Sequence, residues 1–232
     1  MVRDTRTREI SGLDGALLAP AALWLIGLGA AANILFTAVY TIEGATRPGY
    51  NAWSTAISAL SLGPRGWVQQ ANFIVLGVLT LCAALGWRQA LRPGPGASAY
   101  PVIKVIEGVG LLMTGIFSTD EGPGYPITTH GQLHNIFSIV TITAVAVNCF
   151  VLARRFAWEP RWRWWAPYAA VTGLLTMVFI ALYGALGANG GLTGVHERLS
   201  PGVASLLGLL GAVKKQSPVL LTSSGRRVVG VR

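Results

Sequence analysis

Long apolar runs constrain this chain more than any other feature of its sequence. Five of them are long enough to cross a bilayer, which takes about 20 residues of α-helix, and a sixth is shorter and begins beside Pro201. Because backbone polar groups must be paired internally in lipid, spanning segments are expected to be helices. The sequence therefore predicts an all-α, polytopic transmembrane helix bundle with six spans, or with five if the last run does not cross. The predicted spans are 16–40, 67–87, 100–118, 133–153, 167–187 and 199–213.

The charged residues are few and unevenly placed. Only 12% of the 232 residues are charged, about half the share found in a typical soluble domain. If the N-terminus is cytoplasmic, fourteen of the eighteen lysines and arginines fall in cytoplasmic segments, as the positive-inside rule expects. We therefore expect both terminal segments, 1–15 and the basic tail 214–232, to be cytoplasmic, and the protein to lie in the plasma or inner membrane. The net charge of +9 then reflects topology and attraction to membrane lipids, not nucleic-acid binding.

The segment between the first two spans carries a polar stripe. Ser54, Ser58 and Ser61 recur at helical spacing, while apolar residues occupy the other side. This pattern predicts a short amphipathic helix over about 51–62, lying in the outer membrane interface. Since the connection is short, the helix is expected to fold back over the polar outer halves of the spans. Ser54 or Ser58 should then hydrogen-bond to a polar side chain there.

Titratable side chains gather near one predicted membrane surface. Asp120 follows the third span, His130 and His134 begin the fourth, and His196 precedes the last, so all four are expected on the extracytoplasmic face. Two histidines four apart share one helix face and can bind one Zn²⁺, although Gly131 weakens a helix between them. A nitrogen of His196 and an oxygen of Asp120 would complete a zinc site that holds an activated water. The alternatives are side chains that hydrogen-bond loop carbonyls at a wet interface, and a haem or other cofactor.

Two charged residues lie inside the third predicted span. Lys104 and Glu107 are one helical turn apart, a spacing that predicts an i,i+3 ion pair. A buried proton carrier at Glu107 is the alternative. Polar side chains inside membranes face the bundle interior or a cavity, and the outer halves of the spans hold further polar residues. We therefore expect a polar vestibule in the outer, extracytoplasmic half of the bundle.

Six short stretches resemble a known family. The stretches are "GYNAWSTAISALSLG", "QQANF", "GIFSTD", "GYP", "HGQLH" and "HERLS". In their order and spacing they resemble the "domain of unknown function 998" family of prokaryotic integral membrane proteins, from about residue 30 to residue 200. The resemblance implies a multi-span helical membrane protein whose shared polar residues lie in these stretches. It implies no catalytic assignment, because the activity of the family is not established.

Three hypotheses for the function follow. The first is a metal-dependent hydrolase of a lipid or amphiphile, in which Asp120, His130, His134 and His196 hold the metal and its water, and Ser54 or Ser58 orients the substrate. The arrangement is similar to that of membrane hydrolases of the alkaline ceramidase and progestin-adiponectin receptor type, as an analogy only. The second is a non-enzymatic transporter or sensor, in which the outer vestibule binds a small solute and Lys104 and Glu107 form an inner gate. The third is a b-type haem electron carrier, which ranks last because the predicted cytoplasmic side has no histidine.

Overall fold

The computed structural model describes residues 5–122, 125–160, 162–186 and 191–199, and this part of the chain is helical without any strand. The long helices are α1 (Thr5–Thr46), α2 (Gly66–Ala90), α3 (Ala99–Ile116), α4 (Thr129–Trp158) and α5 (Ala166–Leu186). Two short 3₁₀ helices, Ser58–Ser61 and Arg163–Trp165, lie in connections, and residues 193–199 form one further short helix. The prediction of an all-α protein is confirmed.

Five of the described helical segments are long and apolar enough to cross a membrane. They are Pro20–Thr46, Gly66–Ala90, Ala99–Ile116, Thr129–Trp158 and Arg163–Ala185, and the chain is thus a multi-pass membrane protein. Helix α1 already begins at Thr5 and contains Pro20, so it includes most of the predicted terminal segment 1–15. The predicted last span, apart from its first residue, and the predicted tail lie outside the described residues.

The bundle buries polar side chains and exposes apolar ones, as expected for a protein surrounded by lipid. Large apolar side chains such as Trp24, Ile34 and Leu174 are exposed along the helices. Gln69, Asn72, Thr80, Glu107, Thr114, His134, Thr141, Asn148, Thr172 and Thr176 are buried between them. These polar side chains share the interior with apolar clusters such as that of Phe36, Phe73 and Leu76, and a site for polar chemistry is expected where the polar ones lie.

Small residues set the order of the helices. Each long helix packs against the next one along the chain, and among the described elements α1 contacts neither α4 nor α5. A Cβ atom at Gly29 would lie 2.6 Å from Cβ of Ala83, and one at Gly77 would lie 2.9 Å from the carbonyl oxygen of Gly108. Small residues allow helices to approach closely in membranes, where van der Waals packing holds them together. The close contacts lie between sequential neighbours, which leaves a cleft between α1 and α4.

The two ends of the bundle differ. At one end, which we call the 47–65 end, lie the connections α1–α2 and α3–α4 and the 193–199 helix. At the other, the 91–98 end, lie the connections α2–α3 and α4–α5. The predicted interfacial helix over 51–62 belongs to the 47–65 end, and the structure differs there: turns lead into one 3₁₀ turn, Ser58–Ser61. A continuous helix is not formed because side chains from elsewhere in the chain bind the backbone of this segment, as described below.

Candidate functional site

Asp120 holds the beginning of α4. Its Oδ2 accepts a hydrogen bond from the Thr128 N–H (3.1 Å), and its Oδ1 accepts one from the Thr128 hydroxyl (2.6 Å). The Thr128 Oγ1 in turn accepts a hydrogen bond from the Gly131 N–H (3.0 Å) and caps the helix. A Cβ atom at Gly131 would overlap the Asp120 carboxylate, so the glycine makes room for this contact. A carboxylate at a helix N-terminus is stabilising in itself, and both carboxylate oxygens already have partners.

His134 closes the end of α3. The side chain is 2% exposed, and its Nδ1 lies 2.7 Å from the Phe117 carbonyl oxygen and 3.1 Å from that of Thr114. Because carbonyls only accept hydrogen bonds, Nδ1 carries the proton and donates it. The ring also contacts the ring of Phe73 edge-on, with centroids 6.3 Å apart. His134 therefore joins α4 to the last turn of α3 and to α2.

The other two histidines lie apart from this junction. His130 is exposed and packs edge-on against Phe117, within α4 in spite of Gly131. His196, in the 193–199 helix, stacks on Phe179 of α5, and its buried Nδ1 has no partner in the described part of the molecule. Nowhere in residues 5–122, 125–160, 162–186 and 191–199 do three His, Cys, Asp or Glu side chains come together as metal ligands do. Zinc binding by Asp120, His130, His134 and His196 therefore stays a prediction.

The two predicted serines have different surroundings. Ser54 is exposed, whereas Ser58 is buried. The backbone N–H of Ser58 donates to Oε1 of Glu197, with the nitrogen 3.4 Å from that oxygen. Ser58 thus contacts a polar side chain of the 47–65 end, but one on the 193–199 helix, not on the first two spans.

Glu197 and Arg198 clasp the 47–65 loop. The carboxylate of Glu197 accepts hydrogen bonds from the backbone N–H groups of Ile57 and Ser58, at the start of the 3₁₀ turn. Burial raises the pKa of Glu197, and these hydrogen bonds and the nearby Arg198 oppose that shift. The Arg198 guanidinium donates to the carbonyl oxygens of Ala52 (2.7 Å) and Thr55 (3.2 Å). We call this pair of residues, with the backbone they bind, the loop clasp.

Two tyrosine side chains, Tyr40 and Tyr50, pack against Arg198 of the loop clasp. The Tyr50 hydroxyl accepts a hydrogen bond from Arg198 (2.6 Å) and donates to the backbone carbonyl of Ala56 (3.0 Å), and burial raises its pKa. The guanidinium carbon of Arg198 lies 5.6 Å from the ring centroid of Tyr40 and 5.8 Å from that of Tyr50, within cation–π range. A Cβ atom at Gly44 would lie 2.8 Å from the Tyr50 ring, so α1 is shaped to fit this ring.

An ion-pair cluster around Glu43 fixes the same loop to α1. The buried carboxylate of Glu43 pairs with the guanidinium groups of Arg47, at 3.4 Å, and Arg65. Arg47 also donates to the Leu62 carbonyl oxygen (2.9 Å) and Arg65 to the Thr46 hydroxyl (3.1 Å). The 47–65 loop is therefore bound at both of its ends and in its middle, and it covers the helices at this end of the bundle.

Below the 47–65 loop the bundle contains two adjoining cavities. The first, of about 100 Å³, lies between α1, α2, α3 and α4 and includes Lys104 and Glu107 in its lining; we call it the Lys104 cavity. The second, also of about 100 Å³, reaches from the middle of the bundle to Glu197 and Arg198 under the loop clasp; we call it the Arg198 cavity. They share the lining residues Asn33, Leu76, Leu111, Thr141 and Ile142. The two cavities therefore adjoin each other in the middle of the bundle.

The Lys104 cavity contains polar atoms that lack partners. Lys104 Nζ lies 2.7 Å from Oε1 of Glu107, which confirms the ion pair predicted from their spacing. The other carboxylate oxygen of Glu107, the Thr141 hydroxyl and both side-chain polar atoms of Asn148 are buried without a hydrogen-bond partner in the structure as described. Asn148 is 4% exposed and Glu107 6%. Buried polar groups are almost always hydrogen-bonded, so these atoms indicate a site for a polar molecule.

The sequence predicted neither the loop clasp nor the unpartnered Asn148 of the Lys104 cavity. Glu197 and Arg198 were known only as neighbours of His196, and nothing in local spacing pairs them with residues 140 positions earlier in the chain. The sequence signal for this contact is that Glu197 and Arg198 belong, like residues 49–63, to the six stretches that resemble one family. Asn148 lies seven residues after Thr141, on the same helix face. Two polar residues at this spacing inside an apolar run could have been predicted to share one buried polar site.

Comparison with known proteins gives one match. A family model described as "Protein of unknown function (DUF998)" matches residues 30–214, a range that contains all six sequence stretches. Neither the curated proteins nor the solved structures contain a match to the chain.

Proposed function

The chain belongs to the DUF998 family of proteins of unknown function, and for this member we propose that it binds a small polar solute in the Lys104 cavity. Its place in the membrane and the unpartnered polar atoms in this cavity favour a role as a transporter or a sensor. The predicted orientation, with a cytoplasmic N-terminus in the plasma or inner membrane, is part of this proposal. In that orientation the loop clasp covers the extracytoplasmic end of the cleft.

The unpartnered polar atoms of the Lys104 cavity carry the proposal. A buried donor or acceptor without a partner destabilises a protein by about 1–3 kcal/mol, and this cavity holds such atoms on Glu107, Thr141 and Asn148. A bundle that needed only stability would have apolar side chains at these positions. A solute that hydrogen-bonds to them offsets the penalty when it binds, and such residues favour binding at the expense of stability.

The shape of the cleft also supports solute binding. The two cavities meet at shared lining residues, so together they form a path from Lys104 to the loop clasp that is lined by both polar and apolar side chains. A transporter needs such a path, and a sensor needs a binding site coupled to a part that moves. The Lys104–Glu107 pair lies at the deep end of this path in the proposed orientation, where the sequence predicted a gate.

The metal-dependent hydrolase has less support. Asp120 and His134 are occupied by Thr128 and by the end of α3, and these contacts explain both residues without a metal. His130 and His196 are not grouped with them in the described structure. Zinc at these four residues, and catalysis with Ser54 or Ser58, stay predictions that metal analysis of the detergent-purified protein can test. Haem binding is supported by no observation made on the described residues.

Thermal unfolding in detergent tests the proposed function. Purified wild-type protein and the variant Asn148→Leu are heated with alanine, ethylamine, propionate or glycerol, which are small solutes that differ in charge. At least one of them should raise the unfolding midpoint of the wild type in a concentration-dependent way, because a ligand that binds the folded state stabilises it. The variant should lose that increase. A wild type that responds to none of the four, or a variant that responds equally, contradicts the proposal.

A further inference from the structure

The Lys104 cavity carries one positive and one negative charge, and both have unused hydrogen-bonding capacity. The Lys104 ammonium donates one hydrogen bond to Oε1 of Glu107, and an ammonium group has three N–H donors. The Oε2 of Glu107 has no partner among the described residues. The pair is therefore internally neutral, yet it presents a free acceptor on the acid and free donors on the base. A ligand can bind to both without separating them.

The packing of α3 against α4 places Asn148 near this pair. A Cβ atom at Gly110 would contact the Thr141 hydroxyl, so these two positions are level in the antiparallel pair. Each turn from Gly110 towards Lys104 on α3 is then matched by one turn from Thr141 towards Asn148 on α4. Asn148 lies about two turns, roughly 10 Å, from Thr141, and it is therefore approximately level with Lys104, with Glu107 between the two levels. All four side chains line one cavity.

The charges of the site limit the net charge of the ligand. Burying an ion without a counter-charge is strongly unfavourable in a low-dielectric interior, and the pair already compensates itself. A cationic or an anionic solute would leave a net charge inside the bundle. An apolar solute would leave Glu107, Thr141 and Asn148 unsatisfied. The site therefore favours a solute that is neutral overall and has strong donors and acceptors.

A zwitterion meets both demands. Its ammonium group can donate to Oε2 of Glu107, and its carboxylate can accept from the Lys104 ammonium and from the Asn148 amide. Hydrogen bonds between charged groups are roughly twice as strong as neutral ones, which favours a zwitterion over a neutral polyol. The cavity of about 100 Å³ offers several water-sized positions, since one water needs about 10–15 Å³ of such volume, and it is thus large enough for a small amino acid.

We propose that the solute is a small zwitterion of the amino-acid class, with its ammonium group at Glu107 and its carboxylate at Lys104 and Asn148. This inference rests on the proposed solute-binding function and specifies its ligand. It requires no covalent step and no change in the Lys104–Glu107 pair.

Calorimetric titration of the purified wild-type protein tests the inference with matched probes. L-Alanine, ethylamine and propionate share nearly the same skeleton and differ in charge, since ethylamine lacks the carboxylate and propionate lacks the ammonium group. Glycerol is the neutral probe without charges. L-Alanine should bind with a dissociation constant at least about tenfold lower than each of the other three, a difference of about 1.4 kcal/mol. If ethylamine or propionate binds as tightly as L-alanine, the inference is overturned.

The L-alanine affinities of two variants test whether the ligand binds at Glu107. Glu107→Gln removes the negative charge but keeps a side chain of similar size, and it should weaken L-alanine binding by at least about tenfold. Glu159→Gln is the matched control, because Glu159 forms an intrahelical pair with Arg155 at 3.4 Å outside the Lys104 cavity, and its affinity should equal that of the wild type. Equal losses in both variants contradict the assignment. If Glu107→Gln does not fold, the wild-type titrations still decide the inference.

The result separates this inference from the proposed function. If glycerol binds and L-alanine does not, the zwitterion is wrong, while solute binding in the cavity stands. If none of the four probes binds, both are wrong. If L-alanine binds but Asn148→Leu leaves its affinity unchanged, the carboxylate does not lie beside Asn148 and the proposed binding in the Lys104 cavity is contradicted as well.

Discussion

Glu197 and Ile57 are 140 positions apart in the chain, yet the Glu197 carboxylate accepts a hydrogen bond from the Ile57 backbone N–H. This contact fixes the 193–199 helix to the loop between α1 and α2. Arg198 strengthens it by binding carbonyl oxygens of the same loop. Two of the stretches that resemble the family, "GYNAWSTAISALSLG" and the described part of "HERLS", residues 196–199, thus contact each other in the structure.

The loop clasp predicts an unusual pH dependence of stability. Because burial raises the pKa of Glu197, the folded protein binds this proton more tightly than the unfolded chain does. The resulting stabilisation is fully present below the ordinary pKa of about 4.5 and is lost as the pH rises through the higher folded pKa. With rising pH, the unfolding midpoint of the wild type should therefore fall relative to that of Glu197→Gln. Glu121→Gln, at an exposed position of the same end, should follow the wild type; a Glu197→Gln curve parallel to the wild type contradicts the linkage.

Two buried asparagines should respond in opposite ways to the same substitution. Asn72 donates to the Phe36 carbonyl oxygen (3.1 Å) and to the side chain of Gln69 (3.3 Å), whereas Asn148 lacks a partner in the described structure. Asn72→Leu leaves the buried Oε1 of Gln69 without its donor and should lower the free energy of unfolding by about 1–3 kcal/mol. Asn148→Leu removes unpaired groups and should leave it unchanged or raise it by about 1 kcal/mol. Denaturation in one detergent measures both, and a loss at Asn148 as large as that at Asn72 would show that Asn148 has a structural role.

Gly131 should be intolerant of a side chain. A Cβ atom there would overlap the Asp120 carboxylate, so Gly131→Ala must displace Asp120 from the start of α4. We expect a loss of about 1–3 kcal/mol, the usual effect of overpacking. Gly27→Ala is the control, since a Cβ atom at Gly27 meets no atom within 4 Å. Equal unfolding midpoints of the two variants would contradict the structural role of Asp120.

The orientation in the membrane can be tested by cysteine labelling. With Cys82 and Cys149 replaced, Thr129→Cys and Ser98→Cys each introduce one thiol at exposed positions of opposite ends. The excess of basic residues predicts that the 91–98 end faces the cytoplasm. An impermeant thiol reagent should then label Thr129→Cys in whole cells and miss Ser98→Cys. Labelling of Ser98→Cys alone would reverse the orientation, and with it the side from which the loop clasp is reached.

The helices could be predicted from the sequence because each depends on local composition. Apolar runs in lipid must form helices, and the spacing of Lys104 and Glu107 on one helix predicts their ion pair. The grouping of Asp120 with three histidines was inferred from their shared end of the bundle, and a shared end does not fix distances between helices. The loop clasp could not be predicted, because the backbone N–H groups of Ile57 and Ser58 have no signature in the sequence. The site in the cavity depends on which face of α4 meets α1 and α3, and this is a property of the packed bundle.

We propose above all that a small polar solute binds in the Lys104 cavity. An experimental density map of the protein in the presence of L-alanine tests it most directly. We predict ordered density between Oε2 of Glu107 and the Asn148 amide, which disappears when the solute is left out or when Asn148→Leu is used. A map in which those atoms pair with protein groups and the cavity holds no added density would contradict the claim.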